Sequence, residues 1–118
     1  MNINLFDSEL KLMELLWKME PVSAKELSLA ASAQIGWNKN TTYTVIKKLE
    51  SKGYLRRTEP GYICTSLISR SQAQHAETES LVSRLFGGSK KALFSALLND
   101  KTMPQEELDE LRRMIDGR

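Results

Sequence analysis

The sequence predicts a mainly α fold carrying one small β-hairpin, and three observations predict it. The segment from Trp37 to Arg57 separates its apolar and cationic residues onto opposite faces of one helix. Two further capped helical patterns precede it. After Gly53 the period changes, and two short β-rich runs flank a Pro-Gly turn before helical patterns resume at Ser69.

The first helix is expected from Asp7 or Ser8 to about Met19, with Leu10, Met13, Leu16 and Trp17 inward and Pro21 stopping it. Trp17 reads as core, not as a binding platform. Ser23-Ala24-Lys25-Glu26 is a capping box opening a second helix that reaches about Ala33, where Gly36 breaks the pattern. Asn38 caps a third helix only a few residues on, which is helix-turn-helix spacing. In that helix Thr42, Val45, Ile46 and Leu49 stand at i, i+3, i+4 and i+7 and make a stripe for the core. Asn40, Tyr43, Thr44, Lys47, Lys48 and Ser51 point away from the stripe, and Gly53 ends the helix.

Tyr54-Leu55-Arg56-Arg57 and Tyr62-Ile63-Cys64-Thr65, joined by Thr58-Glu59-Pro60-Gly61, fit a hairpin. Three helices followed by a two-stranded ribbon is the order of a winged helix-turn-helix domain. In that arrangement the third helix enters the major groove and the ribbon lies along the backbone. Arg56 and Arg57 would then face phosphate; the plainer alternative is a pair of exposed strand charges that discourage edge-to-edge pairing.

Ser69-Arg70-Ser71-Gln72 is another capping box, opening a helix to Phe86 that Gly87-Gly88 terminates. Ser89 caps a shorter helix from Lys90 to Leu98, and Thr102 and Pro104 begin a last one with Leu108, Leu111, Met114 and Ile115 inward. The expected domains are therefore residues 1–68, winged helix, and 69–118, helical. Three amphipathic helices of this size cannot bury their stripes on each other and a small winged domain alone, so a second copy is the expected cover. The homodimer would use Leu81, Leu85, Phe86, Leu93, Phe94, Leu97, Leu98, Leu108, Leu111 and Ile115; the alternative is packing on the first domain.

At 118 residues and 41% hydrophobic composition, the chain has room for one modest core and a short extension. The net charge of +2 announces no nucleic-acid binder, so the distribution of charge has to carry that argument. Residues 36 to 66 hold Lys39, Lys47, Lys48, Lys52, Arg56 and Arg57 against Glu50 and Glu59, a surplus of four positive charges, whereas residues 69 to 118 are balanced. A single cysteine, Cys64, excludes an intrachain disulfide or a multi-cysteine metal cluster and points to the cytoplasm. No cationic leader precedes an apolar run and no stretch approaches a membrane span, so membrane insertion is not expected.

Other chemistry is set aside. His75 and Glu79 share a helix face at i, i+4, but two ligands make a poor metal site. Cys64 reads as a small apolar residue under the ribbon and not as a redox sensor. Gly87-Gly88-Ser89-Lys90 lacks the leading glycine and strand of a phosphate loop. With one histidine and no nucleophile or metalloprotease motif, neither an enzyme nor a cofactor is expected. The competing class is a helical interaction module whose basic helix binds an acidic protein partner.

Several segments in order carry a family resemblance: Glu9-Leu10-Lys11-Leu12-Met13 with Leu16-Trp17; Trp37 with the capped Asn-Lys-Asn-Thr turn; Thr44-Val45-Ile46-Lys47-Lys48-Leu49 with Lys52-Gly53; Phe86-Gly87-Gly88-Ser89; and Glu106-Glu107-Leu108-Asp109-Glu110-Leu111-Arg112-Arg113. On these the chain resembles, over nearly its whole length, the bacterial repressor family that includes penicillinase, methicillin-resistance and copper-responsive repressors. The resemblance implies a dimeric repressor on an inverted-repeat operator of double-stranded DNA, controlling a resistance or stress gene set. By position it places Thr41, Tyr43, Thr44 and Lys47 at DNA, with Asn40 and Lys48 adjacent. Asn40 suits adenine, Thr44 a thymine methyl and Tyr43 either. Lys39, Lys48, Lys52, Arg56 and Arg57 suit phosphates, and Lys47 suits either set.

The chain also departs from the family. Asn38-Lys39-Asn40-Thr41 stands where relatives show Ser-Pro-Lys-Thr, and the wing is shorter, with Glu59 at its tip. The resemblance implies a membrane sensor-protease as partner, yet the Asn-Phe bond cut in the β-lactam branch is replaced by Ala96-Leu97. The paired cysteine motifs of the copper branch are absent from the tail, which excludes copper sensing by that route.

Overall fold

Local capping chemistry sets the helix boundaries. The computed structural model describes residues 2–117 and orders them as α1 (Asp7–Met19), β1 (Val22–Ser23), α2 (Ala24–Gln34), α3 (Lys39–Lys52), β2 (Leu55–Thr58), β3 (Ile63–Ser66), α4 (Arg70–Leu85), α5 (Lys90–Leu98) and α6 (Gln105–Asp116). Ser23 Oγ accepts the Glu26 N–H at 3.1 Å to start α2, and Asn38 Oδ1 accepts the Thr41 N–H at 2.8 Å to start α3. Gly53, at φ 82°, closes α3 in the left-handed conformation that a side chain would strain. Ser69 and Gln72 exchange a reciprocal pair of bonds, 3.0 and 2.8 Å, at the head of α4. Thr102 does not open α6 as expected: its N–H and hydroxyl both donate to Asp100 Oδ1, and Pro104 takes the N-cap position.

The hairpin of β2 and β3 is shifted one residue from its expected place, and a third strand joins it. The sheet order is β1-β3-β2, all antiparallel, with Val22 and Arg57 both opposite Cys64. β1 escapes sequence reading because the two residues after Pro21, the second of them the cap of α2, show no period. Glu20 fastens the end of α1 to this sheet by accepting the Ser66 N–H and hydroxyl at 2.8 and 2.9 Å.

The contacts divide the chain into Met1–Glu77 and Thr78–Arg118, and the division falls inside α4, past the expected boundary at 68. Ala73 explains the shift, since it is buried in the core of the first unit. That core collects Leu12, Met13, Leu16, Leu27, Ile46, Leu49, Leu55 and Cys64, all closed to solvent. In α1, Met13 and Leu16 are inward as expected, while Leu10 and Trp17 are only half-buried. Leu12, Leu15 and Glu9 take the remaining inward places because α1 packs against α2, α3 and β3 together, which widens its buried arc. Trp17 sits at the core margin and donates its indole N–H to the Ile68 carbonyl at 2.9 Å. Three α-helices and a small antiparallel sheet in this arrangement make the first unit a winged helix.

The second unit has little interior of its own: Val82 and Leu108 are its buried apolar residues. Leu81, Phe86, Leu93, Leu97, Leu98 and Leu111 are half-buried, and Leu85, Phe94, Met114 and Ile115 are exposed. Leu97, Met103, Leu111 and Met114 line a groove of about 330 Å³ between α5 and α6. Leu108, expected at a dimer face, is buried within the single chain.

Two measurements test this packing. Ile46→Ala empties part of a closed core and is expected to cost roughly 2–5 kcal/mol in urea unfolding with an unchanged slope; a loss under about 0.5 kcal/mol, the level of a surface substitution, contradicts the burial. Burial pushes the Cys64 thiol up from its ordinary 9.0, against a smaller opposing pull from Arg57. The unfolded chain therefore ionises first as pH rises through the ordinary thiol range, and any stability contributed by the neutral thiol is lost in that direction. Iodoacetamide at pH 8 should label Cys64 far more slowly in the folded than in the urea-unfolded chain, and equal rates would contradict the placement.

Candidate nucleic-acid interface

The 3.6-residue period of α3 sorts its side chains by chemistry. Thr42, Val45, Ile46 and Leu49 are buried, fixing the rotation of the helix about its own axis. Asn40, Thr41, Thr44, Lys47, Lys48 and Ser51 are left exposed. Over 14 residues the helix is about 21 Å long, enough to present donors near its start and charge farther along.

Individual groups are less uniform than the face suggests. The Thr44 hydroxyl donates to the Asn40 carbonyl at 2.9 Å, so its proton is used within the helix, and the residue is exposed. Tyr43 is half-buried against the core margin, and the Lys39 ammonium lies 5.8 Å from its ring centroid. That ring is a supported platform, not a freely swinging side chain.

The six cations of the basic stretch divide into two kinds. Lys47, Lys48 and Arg56 are exposed with no acidic partner among the described residues, and Lys39 touches only the Tyr43 ring. Lys52 and Arg57, also expected at phosphate, each have a carboxylate partner within the protein. Lys52 Nζ lies 2.7 Å from Oε1 of Glu9, which is 1% exposed. Arg57 grips both Glu50 oxygens at 3.0 and 3.3 Å, and these bonds raise the guanidinium pKa further above its ordinary value. The helix-to-strand geometry that puts Glu50 beside Arg57 has no short-range sequence signal, and a glutamate in a first helical turn reads as a surface residue.

Sequence reasoning also passed over Tyr62. It follows the wing turn at φ 50°, is exposed, and carries the Arg57 guanidinium 5.3 Å from its ring centroid. Its carbonyl accepts the Ala24 N–H at 2.9 Å, so the wing and the start of α2 are joined through its backbone.

The remaining sequence motifs have structural roles. Gly87 and Gly88 take positive φ to end α4, with the Gly88 N–H reaching back to the Val82 carbonyl at 2.9 Å. Glu79 pairs with Lys90 at 2.9 Å, and His75 is exposed. Among the described residues no three His, Cys, Asp or Glu side chains are placed to hold a metal ion, and no helix is long and apolar enough to cross a membrane. The Ala96-Leu97 bond lies in the last turn of α5, with Ala96 exposed and Leu97 half-buried.

Comparison with known proteins agrees with this geometry. A family model described as penicillinase repressor matches residues 5–117. The methicillin resistance regulatory protein MecI of Staphylococcus aureus is 22% identical over 111 residues, covering 92% of this chain and 90% of its own length. The penicillinase repressor of Staphylococcus aureus is 23% identical over 111 residues, 92% of this chain and 88% of its own. An uncharacterised 16.5 kDa protein of Latilactobacillus sakei is 25% identical over 113 residues, 94% of this chain and 77% of its own.

Proposed function

The chain belongs to the penicillinase repressor family, whose members are transcriptional repressors and not enzymes, and from that membership and the outward face of α3 we propose a dimeric, sequence-specific DNA-binding repressor acting on an inverted-repeat operator. The observation that carries this reading is the division of α3 into a wholly buried stripe and a polar, cationic face. A helix about 10–12 Å across fits a major groove about 12 Å wide. Asn40, Thr41, Tyr43, Thr44 and Lys47 meet base edges. Asn40 suits adenine, and the methyl of the exposed Thr44 suits thymine. Lys39, Lys48 and Arg56 hold phosphates and set the register.

The second unit supplies the two-fold axis. Leu97, Leu111 and Met114 line one groove, and with the exposed Leu85, Phe94 and Ile115 they are the apolar side chains that we assign to contact with a second copy. Two α3 helices then address half-sites one duplex turn, about 34–36 Å, or a multiple of it apart. The regulated genes, by analogy with the methicillin-resistance and penicillinase relatives, are a resistance or stress set. Relief of repression by a membrane sensor-protease would require a bond other than Asn-Phe, and the last turn of α5 would have to open for cleavage at Ala96-Leu97.

Three variants test these roles on a palindromic duplex selected from a random pool. Lys48→Ala is expected to weaken all duplexes about equally and to flatten the salt dependence by about one unit per protomer. Thr44→Ala should instead relax base preference with little change in salt slope; the reverse assignment of effects would overturn the roles, and equal weak binding of every duplex by the unaltered chain would overturn the function. Leu97→Asp places a charge in the apolar face and should convert the dimer to monomer by sedimentation, with operator affinity falling as the second half-site is lost. An unchanged mass would contradict the face.

A further inference from the structure

Glu9 is a carboxylate closed off from water, and its surroundings connect the beginning of the chain to the end of α3. Its Oε1 accepts the Phe6 backbone N–H at 2.8 Å and the Lys52 ammonium at 2.7 Å, while Oε2 is buried with no partner among the described residues. Lys52, the last residue of α3, also donates to the Asn4 carbonyl at 3.2 Å and stands 4.3 Å from the Phe6 ring centroid. Two residues on, the Tyr54 hydroxyl accepts the Asn4 N–H at 2.8 Å and donates to the Asn2 carbonyl at 3.3 Å. Residues 2 to 6 are thereby stitched across the end of α3.

We propose that Glu9 is a specificity-determining residue that withholds Lys52 from the duplex. Each protomer then meets phosphate through Lys39, Lys48 and Arg56 alone. The inference rests on the DNA-binding reading above. Its physical basis is an asymmetry between two partners for one ammonium. A phosphate at the surface attracts Lys52 through water and salt, which screen the pair. Glu9 attracts it from a site with almost no solvent and one oxygen already unpaired, so removing Lys52 would leave a buried carboxylate with no cation beside it.

Withholding a cation favours discrimination. A phosphate contact strengthens binding to every sequence alike, whereas base-edge contacts strengthen binding to the operator only. A lysine placed on Glu9 fixes the end of α3 against α1 without adding to the affinity for random duplex.

The experiment measures the salt dependence of binding to operator and to random duplex by the unaltered chain and by Lys52→Ala and Glu9→Gln. Six phosphate contacts per dimer give a slope near −5, and two more from Lys52 would give about −7. The unaltered chain and Lys52→Ala should share the shallower value, and Glu9→Gln should move to the steeper one with a larger gain on random duplex than on operator. A slope that flattens by about two in Lys52→Ala overturns the inference while leaving DNA binding in place. Lysine labelling by an amine-reactive ester reads the clasp without DNA. Lys52 should react several-fold more slowly than Lys47 and Lys48, and should reach their rate in Glu9→Gln. Equal reactivity of the three lysines in the unaltered chain overturns the clasp, whereas slow Lys52 labelling in a chain that binds no duplex removes the DNA-binding reading and, with it, the specificity role.

Discussion

The burial of Thr42, Val45, Ile46 and Leu49 in the first unit is the constraint on which the rest of the arrangement depends. Four side chains spaced at i, i+3, i+4 and i+7 leave a helix one way to lie against α1 and α2. Once that rotation is set, the direction of every other α3 side chain follows, and the exposed residues are those able to donate hydrogen bonds or carry charge. Hydrophobic packing, which is blind to direction in its chemistry, thus aims the polar face. The caps at Asn38 and Gly53 give the helix its length, and the winged sheet closes the core from the other side.

Charge is managed as closely as packing. A surplus of four cations between residues 36 and 66 suggests a uniformly basic surface, yet the structure commits Lys52 to Glu9 and Arg57 to Glu50. The positive groups left to solvent cluster on α3 and the adjoining strand. Under the proposed function this concentrates phosphate contacts beside the base-reading residues and keeps the far end of α3 tied to the protein. The second unit shows the complementary pattern, with balanced charge and an apolar surface that its own helices do not cover.

Much of the fold was legible from the residues because short-range chemistry dictates it. Ser23, Asn38, Ser69 and Ser89 cap the helices that the sequence assigns to them, and the apolar period of α3 matches its buried face. What escaped depends on long-range neighbours. β1 is defined only by its pairing with β3, forty residues away in sequence. Leu12 and Leu15 are buried because α1 is covered from several directions, which no single-helix pattern discloses. Lys52, forty-three residues from Glu9, looks in sequence like one more exposed lysine of a basic helix. The candidate interface was therefore readable as a face, and its individual charges were not.

The most direct test of the central claim is an amide NMR titration of the isotope-labelled protein with its selected palindromic duplex. The account predicts that the largest shift changes fall on Asn40, Thr41, Thr44, Lys47, Lys48 and Arg56, with the buried α3 positions and α6 little affected by direct contact. Changes concentrated on α6 or α2, with the outer face of α3 unmoved at saturating duplex, would contradict it.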